Sequence, residues 1–380
     1  MREVSIVGIG QLPVLREYKE SVRQLGAMAV RLALADAGAE TADAVFVGNM
    51  LSDELQGQKH LAALIADEAQ LGGIEALEVR AATASGAAAL RLAYLAVASG
   101  QADLALAVGV EKMSQGVATP ALAKALDAER EVARGASLIS RNAELTVRYL
   151  ERHRLPADAL IGFPLNAHRN ARTNPLALFR GRTGRREVLT SRMIHPPLRL
   201  MDCAPICDGS AAVLLAPAEH ARAYSGAPVR ILASSVSTDR FRVEDRSDPL
   251  ILEAVQLSTQ KALLQANLNR EDIQVFELHD AFSIMACLSL EAAGFARPGT
   301  GWKWAQEGRI GLRGVLPVST FGGLKARGHP IGATSVYQTC EIVLQLTGRA
   351  GRNQVRRAKV GMQQSVGGVA STAITHIFAA

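Results

Sequence analysis

Aromatic side chains make up only 4% of this 380-residue chain. That scarcity excludes a nucleic-acid binder of the kind that stacks bases on rings set between basic residues. No apolar run is long enough to span a bilayer. The chain opens on a strand pattern, Glu3-Val-Ser-Ile-Val-Gly-Ile-Gly10, so no signal peptide is expected at its start. Cysteine is scarce too, with Cys203, Cys207, Cys287 and Cys340 alone. Cys203 and Cys207 have the spacing of a metal pair, but no second Cys or His pair follows. Buried free thiols in a cytoplasmic protein are therefore expected, and no metal.

Hydrophobic residues make up 48% of the chain, enough for a large core in one or two domains. The net charge is +6, and arginines crowd residues 130–192. With so few rings, such a charge suits a phosphorylated small molecule better than RNA or DNA. Each of these arginines could equally do no more than solvate a surface.

Strand and helix patterns alternate from the start. Strands are predicted at Glu3–Gly10, Ala44–Met50, Ala76–Ala82 and Leu104–Val110. Between them lie helices over Ser21–Ala37, with a Ser start and a Gly38 stop, over Gln58–Ala69 and over Ala84–Ser99. This alternation implies an α/β fold with a mostly parallel sheet. Residues 114–198, rich in Arg, Ala and Pro, interrupt it as an insertion. Strand character returns at Cys207–Ala216, and the second half repeats the first. Val229–Val236 is a strand, Pro249–Ala266 a helix stopped by Asn267, Ile273–Leu278 a strand, and Ala358–Gln364 another. The helix starts at Ala84-Ser-Gly-Ala and Ile331-Gly-Ala-Thr correspond, which marks an internal duplication. The expected division is 1–113 with 199–228 as one half, 114–198 as an inserted loop domain, and 229–380 as the other half.

The most telling stretch is Gly322-Gly-Leu-Lys-Ala-Arg-Gly-His-Pro-Ile-Gly-Ala-Thr334, ahead of an apolar helical run from Val336 to Leu346. Its glycines allow close approach of backbone to ligand, and the proline biases His329 toward an extended conformation. His329 is thus expected on a tight loop aimed at a pocket. The stretch resembles the histidine loop of the thiolase superfamily, most closely its archaeal and sterol-carrier-type (lipid-transfer-protein-like) branch.

The resemblance covers nearly the whole chain. It implies two duplicated α/β halves in a five-layered α-β-α-β-α core with an inserted loop domain. It also implies enzymes that make or break the carbon–carbon bond next to a coenzyme A thioester. On that likeness His329 accepts the nucleophile's proton. His279, in Glu277-Leu-His-Asp-Ala-Phe282, supplies an oxyanion-hole side chain, and Gly367 or Gly368, in Gln364-Ser-Val-Gly-Gly, supplies backbone N–H groups. The sequence departs from the family twice. Gln364-Ser365 stands where a proton shuttle is usual. Thr83, in Ala82-Thr-Ala-Ser-Gly86, stands in the place of the nucleophilic cysteine. A helix N-terminus and a histidine turn a thiol into a thiolate, but they do not ionise a threonine hydroxyl. Cys287 is a weak substitute.

Three readings of Thr83 stand open. The chain is a thiolase-like enzyme that works without a cysteine acyl-enzyme, by Claisen or retro-aldol chemistry. Or it is an acetyl-CoA acetyltransferase whose cysteine was changed to Thr83. Or it is a non-catalytic acyl-CoA-binding subunit. A relative of the β-ketoacyl synthases fits the motifs less well. The resemblance further implies coenzyme A thioester as substrate with no tightly bound cofactor, and a homodimer or tetramer. It also implies a small OB-fold zinc-ribbon partner protein. Arg180, Arg182, Arg185 and Arg186 are the candidates for the CoA phosphates.

Overall fold

A computed structural model describes residues 1–224 and 227–380. In chain order, the first half runs β1 (Val4–Gln11), α1 (Val22–Ala37), β2 (Ala44–Gly48), α2 (Ser52–Leu55), α3 (Leu61–Glu68), β3 (Glu75–Val79), α4 (Ser85–Ser99) and β4 (Ala105–Lys112). An excursion follows with α5 (Ala118–Ala123), α6 (Leu138–Arg152), α7 (Gly162–Ala171), α8 (Arg185–Thr190) and the hairpin β5 (Met193–His195) and β6 (Leu198–Arg199). The chain then returns through β7 (Asp208–Pro217) to β8 (Val229–Thr238), α9 (Glu253–Ala266), β9 (Val275–Glu277), α10 (Ser283–Ala292), α11 (Gly301–Gln306), α12 (Ile331–Leu346), β10 (Val360–Gly367) and β11 (Thr372–Ala379).

Local chemistry sets the ends of α1. Ser21 and Gln24 form a reciprocal capping box, and Gly38 closes the helix in the left-handed conformation at φ 69°. Asn267 performs the same closure on α9 at φ 53°. The helix expected over Gln58–Ala69 starts later, at Leu61, because His60 lies at φ 59° and cannot continue a right-handed turn.

Nine strands line up in the order β3-β2-β4-β7-β1-β8-β11-β10-β9. The duplication is visible in the pairing. β1 runs antiparallel to β7, β7 antiparallel to β4, and β4 and β3 parallel to β2. In the second half β8 runs antiparallel to β11, β11 antiparallel to β10, and β10 parallel to β9. A parallel bridge from Phe276 to Val318 stands where β3 stands in the first half. The halves join through β1 and β8, paired among the described residues only at Ser5–Arg230 and Ile6–Val229.

Five layers result. α1 and α3 cover one outer face through Leu25, Val30, Leu61 and Ile65. α4 and α12 fill the space between the two sets of strands, and α9 and α10 cover the far face through Val255, Ala262, Ile284 and Leu288. Each fully buried Leu or Ile contributes about 2 kcal/mol by leaving water. The middle layer explains the small residues of α4. A Cβ on Gly86 would lie 2.5 Å from the Gly332 carbonyl oxygen, and one on Gly332 would lie 2.6 Å from that of Gly48. The two helix starts that the sequence pairs therefore touch. The chain leaves the sheet at Lys112 and re-enters at Asp208, its direct strand partner, so everything between hangs over one end of the sheet.

Candidate active site

Thr83 sits on a sharp turn between β3 and α4. Ala82 takes φ 48°, a conformation a side chain disfavours by roughly 1–2 kcal/mol. The turn is held by Ser85, whose hydroxyl accepts from the Ala81 N–H at 3.1 Å and donates to the Ala82 carbonyl at 2.7 Å. Gly367 lies against it, for a Cβ there would meet the Ala81 carbonyl oxygen at 2.6 Å. The turn presents Thr83, 4% exposed, to a cavity of about 340 Å³. The Thr83 hydroxyl donates to the Val366 carbonyl of β10 at 2.5 Å.

His279, His329 and Gly368 line the same cavity as Thr83. The two imidazoles meet edge to face with ring centroids 5.1 Å apart. His329 Nδ1 lies 2.7 Å from Thr334 Oγ1, which is itself 3.2 Å from the Pro330 carbonyl. A carbonyl only accepts, so the threonine proton goes there and His329 Nδ1–H donates to Thr334. The lone pair is left on Nε2. The His329 backbone N–H donates to Cys207 Sγ at 3.1 Å, which employs that buried thiol in the loop. Burial, then the neighbouring His279, Arg327 and Lys325, hold His329 well below the ordinary imidazole range. Burial and Lys325 push His279 down to about 3. Both rings are neutral at pH 7.

The histidine loop is built by buried charge. Residues Gly323–Arg327 form one π-helical turn, a geometry common beside functional sites. Asp280 Oδ1 accepts from the Leu324 N–H at 2.8 Å, while the Lys325 ammonium donates to the Asp280 carbonyl. Glu277 Oε1 accepts from both the N–H and the hydroxyl of Thr320 at 2.7 Å. Across the fold, the Glu111 carboxylate accepts from Asn49 Nδ2, the Met50 and Leu51 N–H groups and the Gly332 N–H, at 2.9–3.1 Å. It thereby ties the end of β4 to the start of α12, three residues from His329.

Several residues expected at the site lie elsewhere. Gly367 buttresses the Thr83 turn and does not line the cavity; Gly368 does, at φ 62°. Arg180, Arg182, Arg185 and Arg186 are exposed and none lines the cavity, and Arg185 pairs with Asp158. Gln364 and Ser365 are buried against Thr259, Thr375 and Ser335, away from it. Cys287 is no nucleophile: it is buried outside the cavity with its thiol turned to Glu291 and its acidity suppressed by burial.

The excursion supplies wall residues that sequence reasoning missed. Asn142 of α6, Arg192 and Cys203 all line the cavity. Cys203 reaches it because its backbone bridges to Phe282, and burial pushes its thiol up to about 12. Leu138, Ile194, Ile206 and Met285 make much of the remaining wall apolar. Among the described residues no group of three or more His, Cys, Asp or Glu could hold a metal ion. No helix among them is long and apolar enough to cross a membrane.

Residues 4–180 match the family described as thiolase, N-terminal domain, and residues 235–380 match thiolase C-terminal domain-like. An acetyl-CoA acetyltransferase of Methanothermobacter thermautotrophicus is 40% identical, with 100% of both chains covered. Human sterol carrier protein 2 is 28% identical, with 97% of this chain and 70% of that protein covered. The solved structure of an Ltp2-ChsH2(DUF35) aldolase superposes with a TM-score of 0.87 at 22% identity, covering 100% of this chain and 98% of that one.

Proposed function

The chain belongs to the thiolase family, and from that premise we propose that it makes or breaks a carbon–carbon bond in an acyl-CoA thioester without an acyl-enzyme on residue 83. One observation carries this reading: the Thr83 hydroxyl is committed to the Val366 carbonyl at 2.5 Å, while a neutral His329 with its lone pair on Nε2 lines the same cavity. An unionised hydroxyl without a base at its proton is a poor nucleophile. A neutral imidazole remains a competent base.

In the cleavage direction, His329 Nε2 takes the proton of a β-hydroxyl group on the thioester substrate. The bond between the α and β carbons breaks, and its electron pair passes through the α carbon to the thioester oxygen as an enolate. A ketone or aldehyde departs. His279, neutral and beside His329, donates its one N–H to the enolate oxygen, with backbone N–H at Gly368 as a second donor. The proton on His329 returns to the α carbon. Condensation is the reverse.

The CoA phosphates stay outside the cavity in this reading. Arg192 in its wall and the exposed Arg180, Arg182 and Arg186 of the excursion meet them in water. A partner protein of the sort named in the Ltp2-ChsH2(DUF35) aldolase belongs to the same reading.

A second reading, an acetyl-CoA acetyltransferase whose nucleophilic cysteine was changed to Thr83, is favoured by the name of the 40% identical relative. One experiment separates the two. The parent protein and a Thr83→Cys variant are assayed for thiolysis of acetoacetyl-CoA with free CoA, and for release of a carbonyl product from β-hydroxyacyl-CoA thioesters. The proposal expects carbonyl release by the parent and no thiolysis. Thiolysis by the variant alone, with no cleavage of β-hydroxy substrates by the parent, favours the second reading. Thiolysis by the parent that disappears on changing Thr83, but not His279 or His329, sinks the proposal.

A further inference from the structure

Arg327 stands two residues before His329, yet its side chain faces another cavity. It is wholly buried, with Nε donating to Glu341 Oε1 at 3.0 Å and its guanidinium carbon 4.9 Å from the centre of the Tyr337 ring. Its Nη1 and Nη2 have no hydrogen-bond partner among the described residues, and neither has Glu341 Oε2. All three side chains, Arg327, Tyr337 and Glu341, line a cavity of about 250 Å³ that shares no lining residue with the histidine cavity. Its rim carries Arg349, already paired to Asp36 at 2.8 Å, and the exposed Arg352.

Buried polar groups are almost always paired, and a buried cation left half-paired is the costly exception. The Nη1 and Nη2 edge of a guanidinium is a planar fork that fits two oxygens of one oxyanion. Three guanidinium groups line the cavity against one carboxyl, Glu341. Burial pushes Glu341 up to about 7, so it is itself poised to share a proton with a ligand oxygen. A carboxylate ligand brings acceptors alone, so it meets Glu341 Oε2 only where Glu341 itself holds a proton. A phosphate group carrying one proton brings acceptors for Arg327 and a donor for Glu341.

We propose that this cavity, behind the histidine loop, is a binding site for a phosphate group, held between the Arg327 fork and Arg352 with Glu341 accepting its proton. The ligand is inorganic phosphate or the terminal phosphate of a small monoester. Nothing in the proposed carbon–carbon chemistry requires it, so the two stand or fall separately.

The test is calorimetric titration of the full-length protein with inorganic phosphate and with glycerol 3-phosphate, at ionic strength held constant with chloride. Saturable one-site binding is expected for at least one of them, and which one identifies the source. Arg352→Ala, at an exposed position, is expected to weaken binding several-fold. Glu341→Gln keeps the shape and an acceptor oxygen for the ligand's proton while removing the carboxylate's negative charge, so tightening of about tenfold is expected. Heat no greater than that of chloride alone overturns the proposal. So does binding that is indifferent to both substitutions, which would mark general attraction to a basic surface. Should Glu341→Gln fail to fold, Arg352→Ala alone still decides.

Discussion

His279 and His329 present their rings edge to face at 5.1 Å, each kept neutral by burial and by the cations beside it. Two imidazoles this close do not both take a proton. A proton accepted by His329 therefore meets a ring that can still donate an N–H without carrying charge. Base and oxyanion donor stay distinct through the reaction.

The first expectation concerns the rate. His279 is pushed down to about 3 and His329 lies well below its ordinary value of 6.5. A profile of kcat/KM from pH 5 to 8 should show no acid limb centred at 6.5. A limb there would mean that the pair is wetter than this geometry allows.

Stability should respond to pH in two stages. His168, His279, His329 and His376 all have depressed values, so each contributes stability that is present above 6.5 and lost as the pH falls. Glu111, Glu277 and Glu341 are raised by burial, Glu111 and Glu341 to about 7; their contribution is full below 4.5 and is lost as the pH rises through the raised values. Between 4.5 and 6.5 four imidazoles are opposed by three carboxyls, and the melting temperature should change little. Below 4.5 the imidazoles act unopposed and it should fall steeply. A melting series at half-unit steps checks this; a steep fall already at pH 6 would contradict it.

Thr83→Val removes the hydroxyl with little change of shape. The lost bond to Val366 should cost about 1 kcal/mol in chemical denaturation. Turnover should stay within a few-fold of the parent. A loss of a thousandfold or more, in a folded protein, would make the hydroxyl part of the chemistry.

Thr334 fixes the tautomer of His329. Thr334→Val should lower kcat by roughly 10–100-fold, as loss of a partner that orients a working histidine does, while KM holds. Thr334→Ser should restore it. Equal losses in both variants would point to packing.

Gly86→Ala tests the contact between the two helix starts. The added methyl would sit 2.5 Å from the Gly332 carbonyl oxygen, and overpacking of this kind costs about 1–3 kcal/mol. Melting temperature and activity should fall together, since the start of α12 carries the histidine loop. An unchanged melting temperature would show that the two helices part easily.

Much of this is legible in the sequence. The Ser21 and Gly38 signals bracket α1, the repeated strand and helix order foretells the paired halves, and the glycines around His329 and the turn at Thr83 announce residues that do share one cavity. These features are local: caps, periodicity and turns are written within a few residues. The cavity wall is not. Asn142, Arg192 and Cys203 reach it through long-range contacts such as the bridge from Cys203 to Phe282, which no short pattern encodes. In sequence Arg327 is one more loop residue, because its partners Glu341 and Tyr337 lie 14 and 10 positions on, on α12.

The seam between β1 and β8 has a consequence for how the chain can be divided. Among the described residues only Ser5–Arg230 and Ile6–Val229 pair the two sets of strands, whereas α4 and α12 lie buried between them and pack on both. Cut near the seam, either fragment would carry a naked helix whose apolar residues lack half their neighbours. The backbone hinge is slender, but the two fragments are mutual chaperones: each is the other's missing core, and they would become soluble only when produced together.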